Sequence, residues 1–257
     1  MEMHEYPAGT PSWVDLSTPD TDTAAVFYGA LFGWDVPEGE EQFGGYRNAT
    51  VDGKKVAGMM PQMNPGPPVW TSYVSVDDAA ATLAAVGEAG GSVVMGPMEV
   101  GPVGTMGLFA DPQGAVCGIW QPGEHKGAEL VNEPRTMCWN ELSARDVDAA
   151  IAFYPQVFGW EATTSTDGPM PYTEWSLDGR TIGGMMPTPP MVPAEVPSHW
   201  LVYFAVDDCD ATIAKAAELG GNAMMEAIEI PIGRFCGLTD DQGAMFAVIA
   251  LSGEGMD

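Results

Sequence analysis

Basic side chains are scarce in this chain: 9 Lys and Arg stand against 36 Asp and Glu, a formal net charge of −27 over 257 residues. Nucleic acid and anionic membranes would be repelled by such a surface. The acids form no block, so they read as the solvated face of a folded protein, with a preference for neutral or cationic ligands as the sharper implication. Histidine is scarcer still, at His4, His125 and His199. The cysteines are Cys117, Cys138, Cys209 and Cys236, none in a C-x-x-C pair. Buried free thiols are expected rather than disulfides. No apolar run approaches the roughly 20 residues of a membrane span. The opening MEMHEYPAGTPSW has neither the basic region nor the apolar core of a secretory signal. A cytoplasmic location is expected. A phosphate loop, a G-x-S-x-G elbow and a Cys–His pairing are all missing, which removes the usual signatures of phosphoryl transfer and nucleophilic hydrolysis.

What the chain does contain is itself, twice. FYGALFGW at 27–34 returns as FYPQVFGW at 153–160, and VDGKKVAGMMP at 51–61 as LDGRTIGGMMP at 177–187, each 126 residues on. VDDAAATLAAVGEAGG at 76–91 matches VDDCDATIAKAAELGG at 206–221, 130 residues on. GLFADPQGA at 107–115 matches GLTDDQGA at 237–244. The offset grows because the connector TPPMVPAEVPSHW is longer than QMNPGPPVW. This is a duplication with drift.

Each half divides again. Residues 12–17 read as a strand. Asp20 to Phe32 reads as a helix, capped by Thr21 or Asp20, with Ala24, Phe27, Tyr28 and Leu31 at helical spacing and Gly33 ending it. Strands follow at 34–36, 46–51 and 55–60, the last two joined by the hairpin signal Asp52-Gly53. The pattern restarts with strand 69–76, then helix 77–89, capped by Asp77 or Asp78 and stopped by Gly90-Gly91. Strands near 92–95, 104–110 and 115–121 complete it. The chain therefore reads as four strand–helix–three-strand modules. Phe27, Tyr28, Phe32 and Trp34, with Phe153, Tyr154, Phe158 and Trp160, are expected to be core.

A strand, then D-x-x-x-A-x-x-F-Y-x-x-x-F-G-W, then a second unit with VDD-x-x-A-T and D-P-x-G-A, resembles the vicinal oxygen chelate superfamily of glyoxalase I, bleomycin-resistance proteins and extradiol dioxygenases. The resemblance covers 11–122 and 136–251. It implies an α+β fold: four βαβββ modules forming two glyoxalase/bleomycin-resistance-type domains, each a curled mixed sheet around a concave pocket. The domains would span 1–124 and 136–257, with a linker at 125–135. Many single-domain relatives pair as dimers. The duplication can replace that dimer within one chain, so a monomer is expected, with a homodimer as the alternative.

The resemblance also implies a divalent metal held by His, Gln or Glu on the first and last strands of each module. Here those positions fall on Trp13 and Trp139, Thr71 and Leu201, Gly118 and Ala247, and on the glycines and methionines of VAGMM and IGGMM. No His or carboxylate stands at any of them, so neither a metal nor another cofactor is expected. Strand alternation instead gathers Trp13, Asp15, Thr71, Tyr73, Met59 or Met60, and Trp120 in one half. In the other it gathers Trp139, Glu141, Leu201, Tyr203 and Met185 or Met186. Trp70, His199 and Trp200 are expected near the rim. These residues would bind an apolar, aromatic or polycyclic small molecule by stacking. Asp15 and Glu141 would anchor it, or act as general bases in a metal-independent lyase, isomerase or hydroxylase-type enzyme. Sequestration of an antibiotic and an accessory role in secondary metabolism both fit. A metal-dependent glyoxalase or dioxygenase with unusual ligands is a further alternative.

Overall fold

The computed structural model describes every residue except 64, 169, 191 and 253–257. The first half supplies β1 (Pro11–Thr18), α1 (Thr21–Phe32), β2 (Arg47–Val51), β3 (Lys54–Pro61), β4 (Val69–Ser75), α2 (Ala79–Glu88), β5 (Ser92–Glu99), β6 (Gly104–Ala110) and β7 (Val116–Pro122). Its strands form one mixed sheet in the order β2-β3-β1-β4-β7-β6-β5. The second half supplies β8 (Met137–Ala144), α3 (Val147–Phe158), β9 (Glu161–Ser165), β10 (Tyr172–Leu177), β11 (Arg180–Pro187), β12 (His199–Ala205), α4 (Cys209–Glu218), β13 (Asn222–Ala223), β14 (Ile228–Ile230), β15 (Gly233–Thr239) and β16 (Met245–Leu251). These strands form a second mixed sheet, β13-β15-β16-β12-β8-β11-β10-β9, with β14 added on β15. Both sheets are open at their ends rather than closed into barrels. Among the described residues no helix is long and apolar enough to cross a membrane.

Local chemistry explains the punctuation. All four helices begin at an aspartate, Asp20, Asp78, Asp146 and Asp208, whose carboxylate accepts backbone N–H bonds of the first turn. Gly33 and Gly159 end α1 and α3 with φ of 70° and 73°, a left-handed geometry that glycine adopts freely. Asp52-Gly53 and Asp178-Gly179 both have positive φ at the two central positions, as a tight hairpin turn requires. Residues 34–36 depart from the expected strand. There the chain makes only an isolated bridge, Asp35 to Thr50, whereas the second half extends the same segment into β9. The four cysteines are free thiols, with Cys138 half-buried and the others buried.

The halves do not keep separate cores. Phe27, Tyr28, Phe32 and Trp34 of the first half pack with Phe204, Leu238, Phe246 and Val248 of the second. Phe153, Tyr154, Phe158 and Trp160 of the second pack with Leu83, Val86, Phe109 and Ile119 of the first. The two clusters are near copies. Tyr28 stacks on Trp34 at 5.6 Å between ring centroids, and Trp70 meets Tyr28 edge-on at 5.3 Å. Tyr154 stacks on Trp160 at 5.4 Å, and Trp200 meets Tyr154 edge-on at 5.4 Å. Each phenol then reaches across the duplication. Tyr28 donates to Asp240 at 3.0 Å and Tyr154 to Asp111 at 3.1 Å, while Trp70 and Trp200 donate to those same phenols at 2.9 and 3.0 Å. Asp111 and Asp240 are the aspartates of the repeated D-P-Q-G and D-D-Q-G turns. Their other oxygen accepts the turn's own N–H groups, from Gln113 and Ala115 and from Gln242 and Ala244. The conserved-looking repeat is thus a pair of reciprocal clasps.

Phe32→Ala, which empties a site 3% exposed between Trp34, Phe204 and Phe246, is expected to cost about 3–5 kcal/mol. Because that site belongs to both halves, urea unfolding followed by tryptophan fluorescence and circular dichroism should stay a single transition. Two separated transitions would contradict a shared core.

Candidate functional site

One face of each sheet carries the helices, and the other is left open. Pairing registers decide which side chains share the open face. Trp13 lies opposite Tyr73 and Asp15 opposite Thr71 across β1 and β4. Gly58 of β3 flanks Asp15, and Gly118 of β7 flanks Tyr73. The second half repeats the layout: Trp139 opposite Tyr203, Glu141 opposite Leu201, Gly184 beside Glu141, Ala247 beside Tyr203. Trp120, two residues beyond Gly118, and His199, two before Leu201, continue these rows.

The side chains form one hydrogen-bonded relay per half. Trp13 Nε1 donates to the Tyr46 hydroxyl at 2.8 Å, and Tyr46 donates to Asp15 Oδ2 at 3.3 Å. Trp139 Nε1 donates to the Tyr172 hydroxyl at 2.9 Å, Tyr172 donates to Glu141 Oε2 at 2.9 Å, and Tyr203 donates to Glu141 Oε1 at 2.8 Å. A donor chain ending on a carboxyl group polarises each bond in turn. Burial still governs the acids. Asp15 is pushed up to about 7 by desolvation, against the pull of the Tyr73 and Tyr46 hydroxyls. Desolvation also raises Glu141, opposed by Tyr203 and Tyr172. The phenols beside them are raised as well, by burial and by the neighbouring carboxyl group.

Tyr46 and Tyr172 are the residues that sequence reasoning missed. A signal was present: they stand 126 residues apart, the same offset as Trp13 and Trp139 and as Asp15 and Glu141. They also explain the glycines. A Cβ on Gly58 would sit 1.9 Å from the Tyr46 hydroxyl, and one on Gly184 would sit 2.0 Å from that of Tyr172. A Cβ on Gly118 would sit 2.2 Å from the Tyr73 ring. Phenol rings occupy the volume above these strands.

Other expected site residues lie elsewhere. Met59 and Met185 pair with Leu16 and Leu142 and are fully buried on the helix side. A one-residue step along a strand reverses the face, so Met60 and Met186 take the open side instead. Trp70 and Trp200 sit not at a rim but in the two cores, bonded to Tyr28 and Tyr154. His199 is half-buried, with Nδ1 3.1 Å from the Pro197 carbonyl. His125 leaves the linker to stand edge-on against Trp13 at 4.4 Å, with Trp120 at 5.5 Å.

The two open faces differ in cover. Trp13 is 4% exposed, and Thr71, Tyr73 and Trp120 are also buried, beneath the chain turn that carries His125. In the second half Trp139, Leu201 and Tyr172 are half-buried, beside half-buried Ile230, Phe235 and Leu251. Neither face has a donor set for a divalent ion. Each offers one carboxyl group already engaged by phenols, with indole beside it, whereas a divalent ion takes several imidazole or carboxylate ligands. Among the described residues no three His, Cys, Asp or Glu side chains converge.

The model of the Glyoxalase/Bleomycin resistance protein/Dioxygenase superfamily matches residues 10–117 and 139–248. "Putative glyoxylase CFP32" of Mycobacterium tuberculosis is 44% identical over 254 residues, covering 95% of this chain and 96% of that protein. The anthracycline biosynthesis proteins DnrV of Streptomyces peucetius and DauV of Streptomyces sp. strain C5 are 37% and 35% identical, each covering 97% of this chain and 96% of its own. Among solved structures, the 2,3-dioxygenase LapB of Pseudomonas sp. KL28 superimposes with a TM-score of 0.66 at 12% identity, covering 96% of this chain and 93% of that one. The Mn(II)-bound glyoxalase of Novosphingobium aromaticivorans gives 0.65 at 15%, covering 95% and 82%. Both likenesses concern the fold.

Two outcomes follow from the relays. Gly184→Ala must displace the Tyr172 ring, and its loss of the bond to Glu141 should cost about 1–3 kcal/mol in urea unfolding; an unchanged midpoint would contradict the packing. Asp15 is raised above its ordinary 3.8, so the folded chain holds a proton there that the unfolded chain releases. Its contribution is fully present below about pH 4 and is lost as pH rises through about 7. Against Asp15→Asn, the unmodified protein should therefore lose stability between pH 4 and 7. Parallel stability curves for the two would show that the buried group is already ionised.

Proposed function

The chain belongs to the Glyoxalase/Bleomycin resistance protein/Dioxygenase superfamily, and from that premise we propose that it binds a planar aromatic or polycyclic small molecule without a metal, on the open face of the second sheet. The observation that carries this reading is Trp139: an indole that donates to Tyr172, itself bonded to Glu141, and that is half-exposed beside Leu201, Phe235 and Ile230. A rigid aromatic face with apolar surroundings suits stacking, and the Tyr–Glu–Tyr group beside it can donate or accept one hydrogen bond. The first sheet offers the same residues, but covered. The names of DnrV and DauV add support, since anthracyclines are polycyclic aromatic compounds. A role in antibiotic biosynthesis, or resistance by sequestration, is consistent with that chemistry.

A second reading is a metal-independent enzyme. It rests on carboxyl groups lifted towards neutrality by burial, the condition under which an acid both takes and returns protons. Glu141, paired with two phenols, would be the general base for a lyase, isomerase or hydroxylase-type reaction on the bound molecule.

Tryptophan fluorescence titrated with a hydroxyanthraquinone should be quenched saturably. Trp139→Ala should weaken binding at least tenfold, about 1.4 kcal/mol, and Trp13→Ala by less than twofold. Equal sensitivity to both substitutions, or no quenching, would sink the proposal, as would a stoichiometric divalent metal in protein purified without chelator. Turnover that disappears in Glu141→Gln with binding retained would move the conclusion to the enzyme reading.

A further inference from the structure

The few basic residues of this acidic chain are not spread evenly. A cavity of about 320 Å³ lies between residues 2–4, the start of β3 and residues 124–129, lined by Lys54, Lys55, Lys126, His4 and His125 together with Glu2, Glu124 and Glu129. Three of the chain's four lysines and two of its three histidines meet here. The three glutamates match the three lysines in number, but among the described residues only Glu2 and Lys54 form an ion pair within the lining. Glu129 accepts the backbone N–H of Lys55 at 2.7 Å, leaving that residue's ammonium free.

Acids outnumber bases 36 to 9, so an ion pair is available to nearly every cation. Arg47, Lys54, Arg135, Lys215 and Arg234 each have one, and Arg145 is spent on the carbonyls of Val192, Pro193 and Val196. Among the described residues Lys55, Lys126 and Arg180 have neither, and two of those three line this cavity. His125 forms the inner wall, its ring against Trp13 and Trp120 and neither ring nitrogen hydrogen-bonded among the described residues. Desolvation and then the positive charge of Lys55 hold His125 down at about 4, and no carboxylate offsets them.

We infer that this cavity binds a small organic oxyanion, a carboxylate or phosphate, whose oxygens lie between Lys55, Lys126 and His125. The site is separate from the Trp139 face, and its volume stands at the lower end of ligand pockets. It therefore admits a small molecule and not a polycycle. Lys55 and Lys126 supply charge, His125 supplies a ring N–H donor, and the indole edges behind it exclude water and strengthen both. Anion and proton then bind together. An anion in contact with His125 favours its charged form, and protonation of His125 favours the anion by the same factor.

With three histidines, imidazole resonances can be assigned by substitution and followed by NMR in the full chain. Sodium benzoate and sodium phosphate would be titrated separately against sodium chloride at equal ionic strength. The expected result is a saturable shift of the His125 resonances with at least one oxyanion, and a His125 midpoint moved up from about 4 by a unit or more. Lys55→Met and Lys126→Met should each weaken the effect at least fivefold, and Lys215→Met should leave it unchanged. Lys126 is exposed, so its substitution tests the site without disturbing the core. Saturation by benzoate alone assigns a carboxylate, and saturation by phosphate alone assigns a phosphate. Shifts no larger than those in chloride, or identical in Lys126→Met, would overturn the inference.

Discussion

Two reciprocal hydrogen bonds organise this molecule: Tyr28 to Asp240 and Tyr154 to Asp111. Each joins the first helix of one half to a tight turn of the other, and each is buried. One oxygen of each aspartate is held by its own turn, and the other, buried, is supplied with a donor by the opposite half. The aromatic clusters around these bonds follow from the same exchange. Trp70 and Trp200 are fixed by the shared phenols, and Trp34 and Trp160 stack on them. The helix-side faces are committed to each other in this way, and the opposite face of each sheet carries its Trp–Tyr–carboxyl relay.

On those open faces the scaffold has been refitted. The positions at which the family resemblance implies metal ligands hold indole, glycine, alanine, threonine and leucine, while Tyr46 and Tyr73 fill the volume above Gly58 and Gly118 and Tyr172 fills that above Gly184. The remaining carboxyl group of each face is engaged by phenolic donors. Burial raises both Asp15 and Glu141, because desolvation disfavours the charged form.

The duplicated halves have diverged in cover rather than in layout. The segment after β7 folds back and lays His125 on Trp13, sealing the first face. Among the described residues nothing equivalent lies over Trp139, which is half-buried beside Leu201, Ile230, Phe235 and Leu251. The same fold-back creates the basic cavity on its outer side, so one linker both closes one surface and builds another.

Much was legible in the residues alone. The repeat offsets, the aspartate caps, the Asp-Gly turns and the alternation of Trp13 with Asp15 and of Trp139 with Glu141 depend on contacts a few residues apart or on strand periodicity. The same periodicity could not tell Met59 from Met60, since one residue of register exchanges the faces, and Trp70 and Trp200 follow the Pro-rich connectors yet turn into the shared cores rather than a rim. The amino-acid sequence by itself determined the modules and the fold, which rest on local or additive properties. Only the tertiary structure decided that tyrosines 31 to 33 residues away complete each relay, that the cores are exchanged, and that His125 closes one face. Those pairings are set by close packing between distant segments, which no local pattern encodes.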